Sequence, residues 1–201
     1  MSSDAIRHLR SVDPTLAALI DAIGPYAPPR RAPTFAALVS AIVAQQISTR
    51  AAEAITSRLQ ALLGGALTPE ALLAASDEDL RAAGLSRAKA IAVRQLAARA
   101  VSGDLAIEHL HQMDDEAIVA HLSRSRGIGR WTAEMFLIFA LGREDVLPVG
   151  DLGLRTAIRR LYGGEIDLTP TGLMTLGERW RPYRSIATWY LWQSLRLPLE
   201  R

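Results

Sequence analysis

Cysteine is absent from the 201-residue chain, so disulfide bonds, thiolate metal sites, iron–sulfur clusters and a cysteine nucleophile are all excluded. The four histidines show no metal-ligand spacing, and no Ser/His/Asp or phosphate-loop pattern appears. No charged segment followed by an apolar run opens the chain, and no apolar run approaches the length of a membrane span. We therefore expect a soluble cytoplasmic protein, associated with the nucleoid if it is bacterial, that makes no membrane contact.

Lysine is almost absent as well. Lys89 is the one lysine, and every other basic residue apart from histidine is arginine. The planar guanidinium suits phosphate recognition, although a GC-rich genome would produce the same bias. Because the formal net charge is only +2, the overall charge is weak evidence for a nucleic-acid partner. Local patterns must decide whether the arginines serve a binding site.

Strand-like alternation is nearly absent, whereas helix signals recur along the whole chain. Asp13 before Pro14 is typical of a helix start, and Thr68 before Pro69 repeats that pattern. About ten or eleven short helices with brief connections predict an all-α fold. Segments 24–33 and 147–151 are candidate crossings between two helical lobes. We expect one lobe from residues 1–33 and 147–201, and a central bundle from residues 34–146.

The segment RGIGRWTA places Gly127 and Gly129 directly before a predicted helix. Glycine permits a tight turn with positive φ and a close approach of phosphate to the amides, and the helix start adds free N–H groups. Ile128 is expected to plug the turn against the preceding helix, and arginines at 124, 126 and 130 add positive charge. A plain helix–helix turn is the alternative, since Gly-x-Gly alone is a weak motif. A similar helix–glycine–helix design surrounds Gly84.

Asp151 follows Pro148 and Gly150 and precedes another predicted helix. Aspartate in such a place is usually an N-cap, but it can also face a developing positive charge, and the residues alone leave both roles open. Gln45 and Gln46 leave an apolar helix either as surface residues or as side chains that insert into a gap in a duplex.

The few aromatic residues have two readings. Trp131, Met135 and Ile138 share one helix face; core packing is expected for the latter two, while Trp131 on the first turn suits a groove as well as a core. Trp189 and Trp192 lie one turn apart, which is typical of a core, although stacking on a base also requires aromatic faces.

Five motifs occur in order: AIVAQQIS, GLSRAKA, RGIGRWTAEM, LPVGDLGLR and RWRPYRSIATWYLW. Together, over about residues 34 to 193, they resemble the helix–hairpin–helix DNA glycosylase superfamily. Within it the chain is similar to the DNA-3-methyladenine glycosylase II branch, in a compact form without the N-terminal β domain. The resemblance implies two helical lobes with the active-site cleft between them, and a helix–hairpin–helix motif at about residues 117–141.

The resemblance also implies roles at the site. Asp151 matches the catalytic aspartate, and the base-pocket positions are Trp131, Met135 and Trp192. Trp131 stands where bifunctional relatives carry a Schiff-base lysine, which implies a monofunctional enzyme that hydrolyses the N-glycosidic bond without lyase activity. Met135 replaces a pocket aromatic residue and Gln193 a tyrosine, so these departures put the substrate range in doubt rather than the reaction.

The implied partner is double-stranded DNA that contains alkylated bases, bound by a monomer that requires no cofactor. Gln46, with Gln45 beside it, matches the intercalating position. A Na+ or K+ ion at the hairpin is implied, held by the backbone carbonyls of Ser123, Ser125 and Ile128. Arg126 departs from the usual proline, and Ser125 from an apolar residue. The implied DNA-binding residues are Gly127, Ile128, Gly129, Arg130, Arg126 and Thr132.

A DNA-binding helix–hairpin–helix module without chemistry is the alternative function, because it would keep the 124–130 turn without needing Asp151 or the tryptophans. A helical protein–protein scaffold is a further alternative, and it would need none of the five motifs.

Overall fold

The computed structural model describes residues 3–164 and 166–198. Within these ranges the regular structure is helical throughout, which confirms the all-α prediction. Short 3-10 helices occur at Ile107–Gln112 and Glu178–Trp180. The α-helices are α1 (Ser3–Val12), α2 (Pro14–Ile23), α3 (Phe35–Ala44), α4 (Thr49–Leu62), α5 (Pro69–Ala74), α6 (Asp77–Ala82), α7 (Arg87–Val101), α8 (Asp115–Ser123), α9 (Arg130–Phe139), α10 (Leu152–Tyr162), α11 (Pro170–Gly177) and α12 (Arg184–Ser194).

Several helix starts are capped by the side chains that the sequence indicates. The Thr34 hydroxyl accepts a hydrogen bond from the Ala37 amide at 3.3 Å, and the Thr68 hydroxyl accepts one from the Ala71 amide at 3.2 Å. Each cap satisfies a helix amide that has no partner within its own helix. Since the cap partner lies three residues along the chain, these boundaries follow from local sequence alone.

The chain forms two compact units, and the first comprises residues 1–29 and 142–201. In it α12 packs against α2 and α10, while α1 packs against α2. Asp13 is buried at its centre and is fully engaged: its Oδ1 accepts the amides of Thr15 and Leu16, and its Oδ2 accepts the Tyr162 hydroxyl and the Trp180 indole N–H. A buried carboxylate is tolerated only with such donors.

The second unit comprises residues 30–141 and contains α3 to α9. Helix α7 packs against α3, α5 and α6, while α9 packs against α3 and α8. Its interior is aliphatic and includes Leu38, Ile42, Leu59, Leu96, Ile118 and Leu137. The packing of α3 against both α7 and α9 fixes the end of α3 relative to the hairpin that precedes α9.

None of the helices in the described residues is both long enough and apolar enough to cross a membrane.

Candidate nucleic-acid interface and catalytic carboxylate

The hairpin between α8 and α9 turns at Gly127, whose φ is +81°. A Cβ atom at this position would lie 2.8 Å from the Cβ of Ala92 on α7. Both the left-handed backbone and the close approach to α7 therefore require glycine at Gly127. The side chain of Ile128 is 3% exposed, as expected for the plug of the turn.

Gly129 differs from Gly127 in that its φ is not positive. Its φ of −88° and ψ of 175° are extended, because Gly129 is the N-cap of α9 and N-cap residues adopt extended backbone. It provides no side-chain cap for the helix, and the space where a Cβ atom would lie is open. The start of α9 thus combines a positive dipole end with room for an anion to approach the backbone.

Ser125 anchors the hairpin to α7. It is 2% exposed, and its hydroxyl accepts a hydrogen bond from the Arg99 guanidinium. Arg99 also donates to the His121 carbonyl at 3.3 Å and pairs with Asp104 at 2.6 Å. Nothing in the sequence indicated this role for Arg99, since its partner in the hairpin lies 26 residues away.

The hairpin arginines differ in their surroundings. Arg130 donates to both carboxylate oxygens of Glu116, at 2.8 and 2.7 Å, and Arg124 pairs with Asp104 at 3.3 Å. The hydrogen bond from Arg130 holds the pKa of Glu116 below its ordinary value, so the pair stays charged at neutral pH. Arg126 is exposed. The positive potential at the hairpin is therefore partly offset by carboxylates that the sequence pattern did not suggest.

The two predicted intercalating glutamines have different environments. The Gln45 side-chain amide donates to the Gly127 carbonyl at 2.6 Å and to the Thr132 hydroxyl at 3.0 Å. Thr132, predicted to bind DNA, is itself only 3% exposed. Gln46 is exposed and has a φ of +58°, the one positive φ outside glycine among the described residues. The structure thus brings Gln45, Gly127 and Thr132 together and leaves Gln46 at the surface.

In the first unit the structure joins Asp151 to Trp192. Asp151 is the N-cap of α10, and its Oδ1 accepts the Leu154 amide at 2.6 Å and the Trp192 indole N–H at 2.8 Å. A Cβ atom on Gly153 would lie 3.1 Å from that same oxygen and 3.3 Å from Cδ1 of Trp192. The absence of a side chain at Gly153 therefore leaves room for Asp151 Oδ1 and the Trp192 ring to pack closely against α10, a role that the sequence did not reveal.

The aromatic residues and the predicted base-pocket residues differ in how much of each is exposed to solvent. Trp131, on the first turn of α9, is 42% exposed, whereas Met135 one turn later is half-buried. Trp189 is buried, with its ring edge-on to those of Tyr26 and Tyr190, so its core interpretation is confirmed. Gln193, next to Trp192 in the chain, is half-buried.

The proposed cation ligands lie where α8 ends. Ser123 is the last residue of α8, where helix carbonyls lack intrahelical partners. The Ser125 carbonyl accepts the Ile128 amide at 3.0 Å, and a carbonyl oxygen retains a second lone pair. Neutral oxygen donors of this kind fit a hard monovalent cation. Among the described residues no group of three or more His, Cys, Asp or Glu side chains forms a metal site.

An all-α fold in which α8, the Gly127 turn and α9 form a helix–hairpin–helix motif defines a class of protein that binds the DNA backbone. The family of HhH-GPD superfamily base excision DNA repair proteins matches residues 39–182, and the chain belongs to that family. The resemblance carried by the five motifs is thereby confirmed.

Individual relatives are similar over nearly the whole chain. DNA-3-methyladenine glycosylase 1 of Schizosaccharomyces pombe is 33% identical over 198 residues, covering 94% of this chain and 86% of the relative. The solved structure of the S. pombe 3-methyladenine DNA glycosylase with abasic DNA gives a TM-score of 0.88 at 33% identity, covering 97% and 98% of the two chains. A DNA-3-methyladenine glycosidase structure from Bacillus halodurans gives 0.84 at 41% identity, covering 96% and 89%.

Proposed function

We propose that this protein is a monofunctional DNA glycosylase that flips N-alkylated purines out of duplex DNA and hydrolyses their N-glycosidic bonds. The observation that carries the proposal is the Asp151 carboxylate, held at the start of α10 by the Leu154 amide and the Trp192 indole. The family membership and the names of the relatives support the same reaction class. The protein acts as a monomer, in base excision repair.

The chemistry follows from the charge of the substrate. A base inside the stack is out of reach, so it must be extruded at a cost of a few kcal/mol, least for damaged bases. An N-alkylated purine is already cationic and is a good leaving group, so it needs little help from a general acid. The C1′–N bond breaks with its electron pair going to the base, and the sugar becomes oxocarbenium-like. Water then adds to C1′ and passes a proton to the Asp151 carboxylate, which releases it to solvent.

Asp151 supplies the negative charge that the developing sugar cation requires. Its negative charge stabilises the cationic sugar, and a preorganised carboxylate does so without reorganising during the reaction. Two N–H donors on Oδ1 fix the orientation of the carboxylate before substrate binds. The same carboxylate assists the attack of water at C1′. One acidic side chain is sufficient, because the leaving base requires no second one.

Electron-rich faces hold the extruded cationic base. The exposed ring of Trp131 provides one such face, and a cation–π contact contributes about 0.5 to 2 kcal/mol. In the first unit, Trp192 provides a second indole, whose N–H donates to Asp151 Oδ1 at 2.8 Å. Met135 is flexible and polarizable where an aromatic ring would be rigid, so we propose a pocket that tolerates several alkylated purines.

The hairpin holds the DNA strand. The amides at the start of α9 and the turn around Gly127 bind backbone phosphate, with Arg126 and Arg130 adding charge. A Na+ or K+ ion on the carbonyls of Ser123, Ser125 and Ile128 would neutralise part of the phosphate charge when bound. Gln46 fills the gap that the extruded nucleotide leaves in the duplex.

Two features support the proposal that no lyase step follows base release. A lyase requires an amine that forms a Schiff base with the sugar. Trp131 occupies the position that a lysine would need. The one lysine, Lys89, donates to the Val43 and Gln45 carbonyls at 2.8 Å each. This pairing engages the Lys89 ammonium group within the second unit.

The test is to incubate the protein with methylated duplex DNA and separate the released bases by chromatography. Free methylated purines should appear while the DNA strand stays intact until alkali is added, and borohydride should trap no covalent adduct. Release of no base would contradict the glycosylase proposal. A trapped adduct would contradict the monofunctional assignment alone.

A further inference from the structure

Lys89 is placed to hold the end of α3. Its ammonium group donates to the carbonyls of Val43 and Gln45, at 2.8 Å each. These carbonyls belong to the last turn and the C-cap of α3, where the helix provides no N–H partners and the dipole is negative. A cation from the start of α7 satisfies both carbonyls at once, and partial burial lowers the pKa of Lys89.

Gln45 continues this chain of contacts to the hairpin. Its carbonyl accepts from Lys89, while its side-chain amide donates to the Gly127 carbonyl at 2.6 Å and the Thr132 hydroxyl at 3.0 Å. One residue therefore joins the end of α3 to α7 through its backbone and to the hairpin through its side chain. All of these contacts lie within the second unit.

Gln46 follows directly, in a backbone conformation that non-glycine residues seldom adopt. Its φ is +58° and its side chain is exposed. Such a conformation persists only where the surrounding structure determines it. The Lys89–Gln45 contacts fix the residue before Gln46, and the Ser48 hydroxyl, which caps α4 by accepting the Ala51 amide at 3.3 Å, fixes the chain after it.

The choice of lysine at position 89 supports a specific role. Lys89 is the one lysine in this chain, and the other long basic side chains are all arginines. A guanidinium is a planar fork that matches parallel acceptors, whereas a compact ammonium directs its N–H groups to carbonyls that diverge. The single Nζ atom of Lys89 donates to both carbonyls at 2.8 Å, which the three N–H groups of an ammonium allow.

We infer that Lys89 and Gln45 are positioning residues, which hold Gln46 in the conformation that enters the duplex and link its insertion to the phosphate-binding hairpin. The inference rests on the proposed function, since it assigns a role to a residue that fills the gap left by an extruded base. Lys89 and Gln45 act through Gln46 and touch neither the reacting sugar nor the base.

The test compares Lys89→Met, Gln45→Met and Gln46→Ala, singly and in pairs. The probe is a duplex that contains a stable abasic-site analogue beside 2-aminopurine, whose fluorescence reports insertion without any catalysis. We expect Lys89→Met and Gln45→Met each to reduce the insertion signal at least fivefold. Each pair with Gln46→Ala should be within twofold of Gln46→Ala alone, because all three changes remove the same event. Losses that multiply in the pairs, or an unchanged signal, would overturn the inference.

Arg87→Met is the matched control. It removes one cation from the first turn of α7, as Lys89→Met does, but Arg87 is exposed and is not one of the contacts to α3. We expect its insertion signal to match that of the wild type, and an equal loss in Arg87→Met would overturn the inference by pointing to charge alone. If Lys89→Met does not fold, the Gln45→Met variant tests the inference, because the backbone carbonyl of residue 45 can still accept from Lys89.

Base release from methylated duplex separates this inference from the proposed function. A wild-type protein that gives the insertion signal but releases no base would contradict the proposed function and leave the positioning role standing. A wild-type protein that releases bases, with Lys89→Met and Gln45→Met variants that insert normally, would contradict the positioning role alone.

Discussion

The chain uses the same helix–glycine turn–helix design twice, at the α6–α7 junction and at the α8–α9 junction. The first turns at Gly84, with a φ of +108°, and the second at Gly127, with a φ of +81°. The helices that follow begin differently. Ser86 caps α7 by accepting the Lys89 amide at 3.3 Å, whereas Gly129 provides α9 with no side-chain cap.

This difference in capping suits the first junction to a structural role and the second to phosphate binding. At α7 a hydroxyl of the protein occupies the helix start, so the junction is satisfied internally. At α9 the backbone amides are presented without a capping side chain and beside open space, which suits an incoming phosphate. We therefore propose that the residue at the N-cap, and not the glycine turn, decides which junction binds DNA.

Among the variants that test this comparison of junctions, the largest expected effect on duplex binding comes from giving the second junction a charged cap. In Gly129→Asp the carboxylate would occupy the start of α9 and repel phosphate. We expect duplex binding to weaken by about 100-fold, roughly 3 kcal/mol, alike for all sequences and with reduced salt dependence. Titration of labelled undamaged duplexes at several salt concentrations measures it.

Ser86→Asp is the control for this substitution, since it places the same charge at the α7 start and keeps a good cap. Its binding should stay within threefold of the wild type. Equal losses in the two variants would show that the comparison of N-caps is wrong.

A hydrogen bond can be predicted from the sequence when its donor and acceptor residues lie close together in the chain. Thr34, Ser48 and Ser86 cap helices through amides three residues away, so the local pattern suffices. The bond from Gln45 to the Gly127 carbonyl spans 82 residues, and no local pattern encodes it. The resemblance selected Gln45 as an intercalation candidate, but it did not show that the hairpin engages its side chain.

The glycines illustrate a second limit. Glycine is favourable both in a left-handed turn and at an N-cap, so its presence at Gly129 did not reveal which role it has. For Asp151 the cap role is confirmed by the Leu154 amide, while the catalytic role stays a prediction. The Trp192 contact, which spans 41 residues, required the fold.

A smaller effect should follow from adding one methyl group to each turn. The Cβ atom of Gly127→Ala would lie 2.8 Å from the Cβ of Ala92, and the Cβ atom of Gly84→Ala would lie 2.8 Å from Arg58 Nη2. We expect both to lower the free energy of unfolding by about 1 to 3 kcal/mol, because both residues have positive φ. Chemical denaturation measures the stability. Only Gly127→Ala should weaken duplex binding, by about tenfold; weakening by Gly84→Ala as well would contradict the division of roles.

The smallest effect concerns the carboxylate that pairs with Arg130. Glu116→Gln removes the charged partner at 2.8 and 2.7 Å and leaves Arg130 with the Glu134 carboxylate at 3.7 Å, so duplex affinity should rise about threefold and the salt dependence should steepen by up to about one unit of slope. Glu70→Gln makes the same change in net charge on α5, at an exposed residue, and should alter neither quantity. An equal rise in the control would show that net charge, rather than the Arg130 pair, sets the affinity.

The central claim is that the charge of Asp151 drives base release. Asp151→Asn can keep the helix cap and an oxygen that accepts from Leu154 and Trp192, and it removes the negative charge by exchanging Oδ2 for an NH2 group. The decisive measurement is single-turnover release of N-alkylpurine from a methylated duplex, with duplex binding determined on the same preparation. We predict that release by Asp151→Asn falls at least about 10³-fold while binding is retained. Release at the wild-type rate would contradict the mechanism.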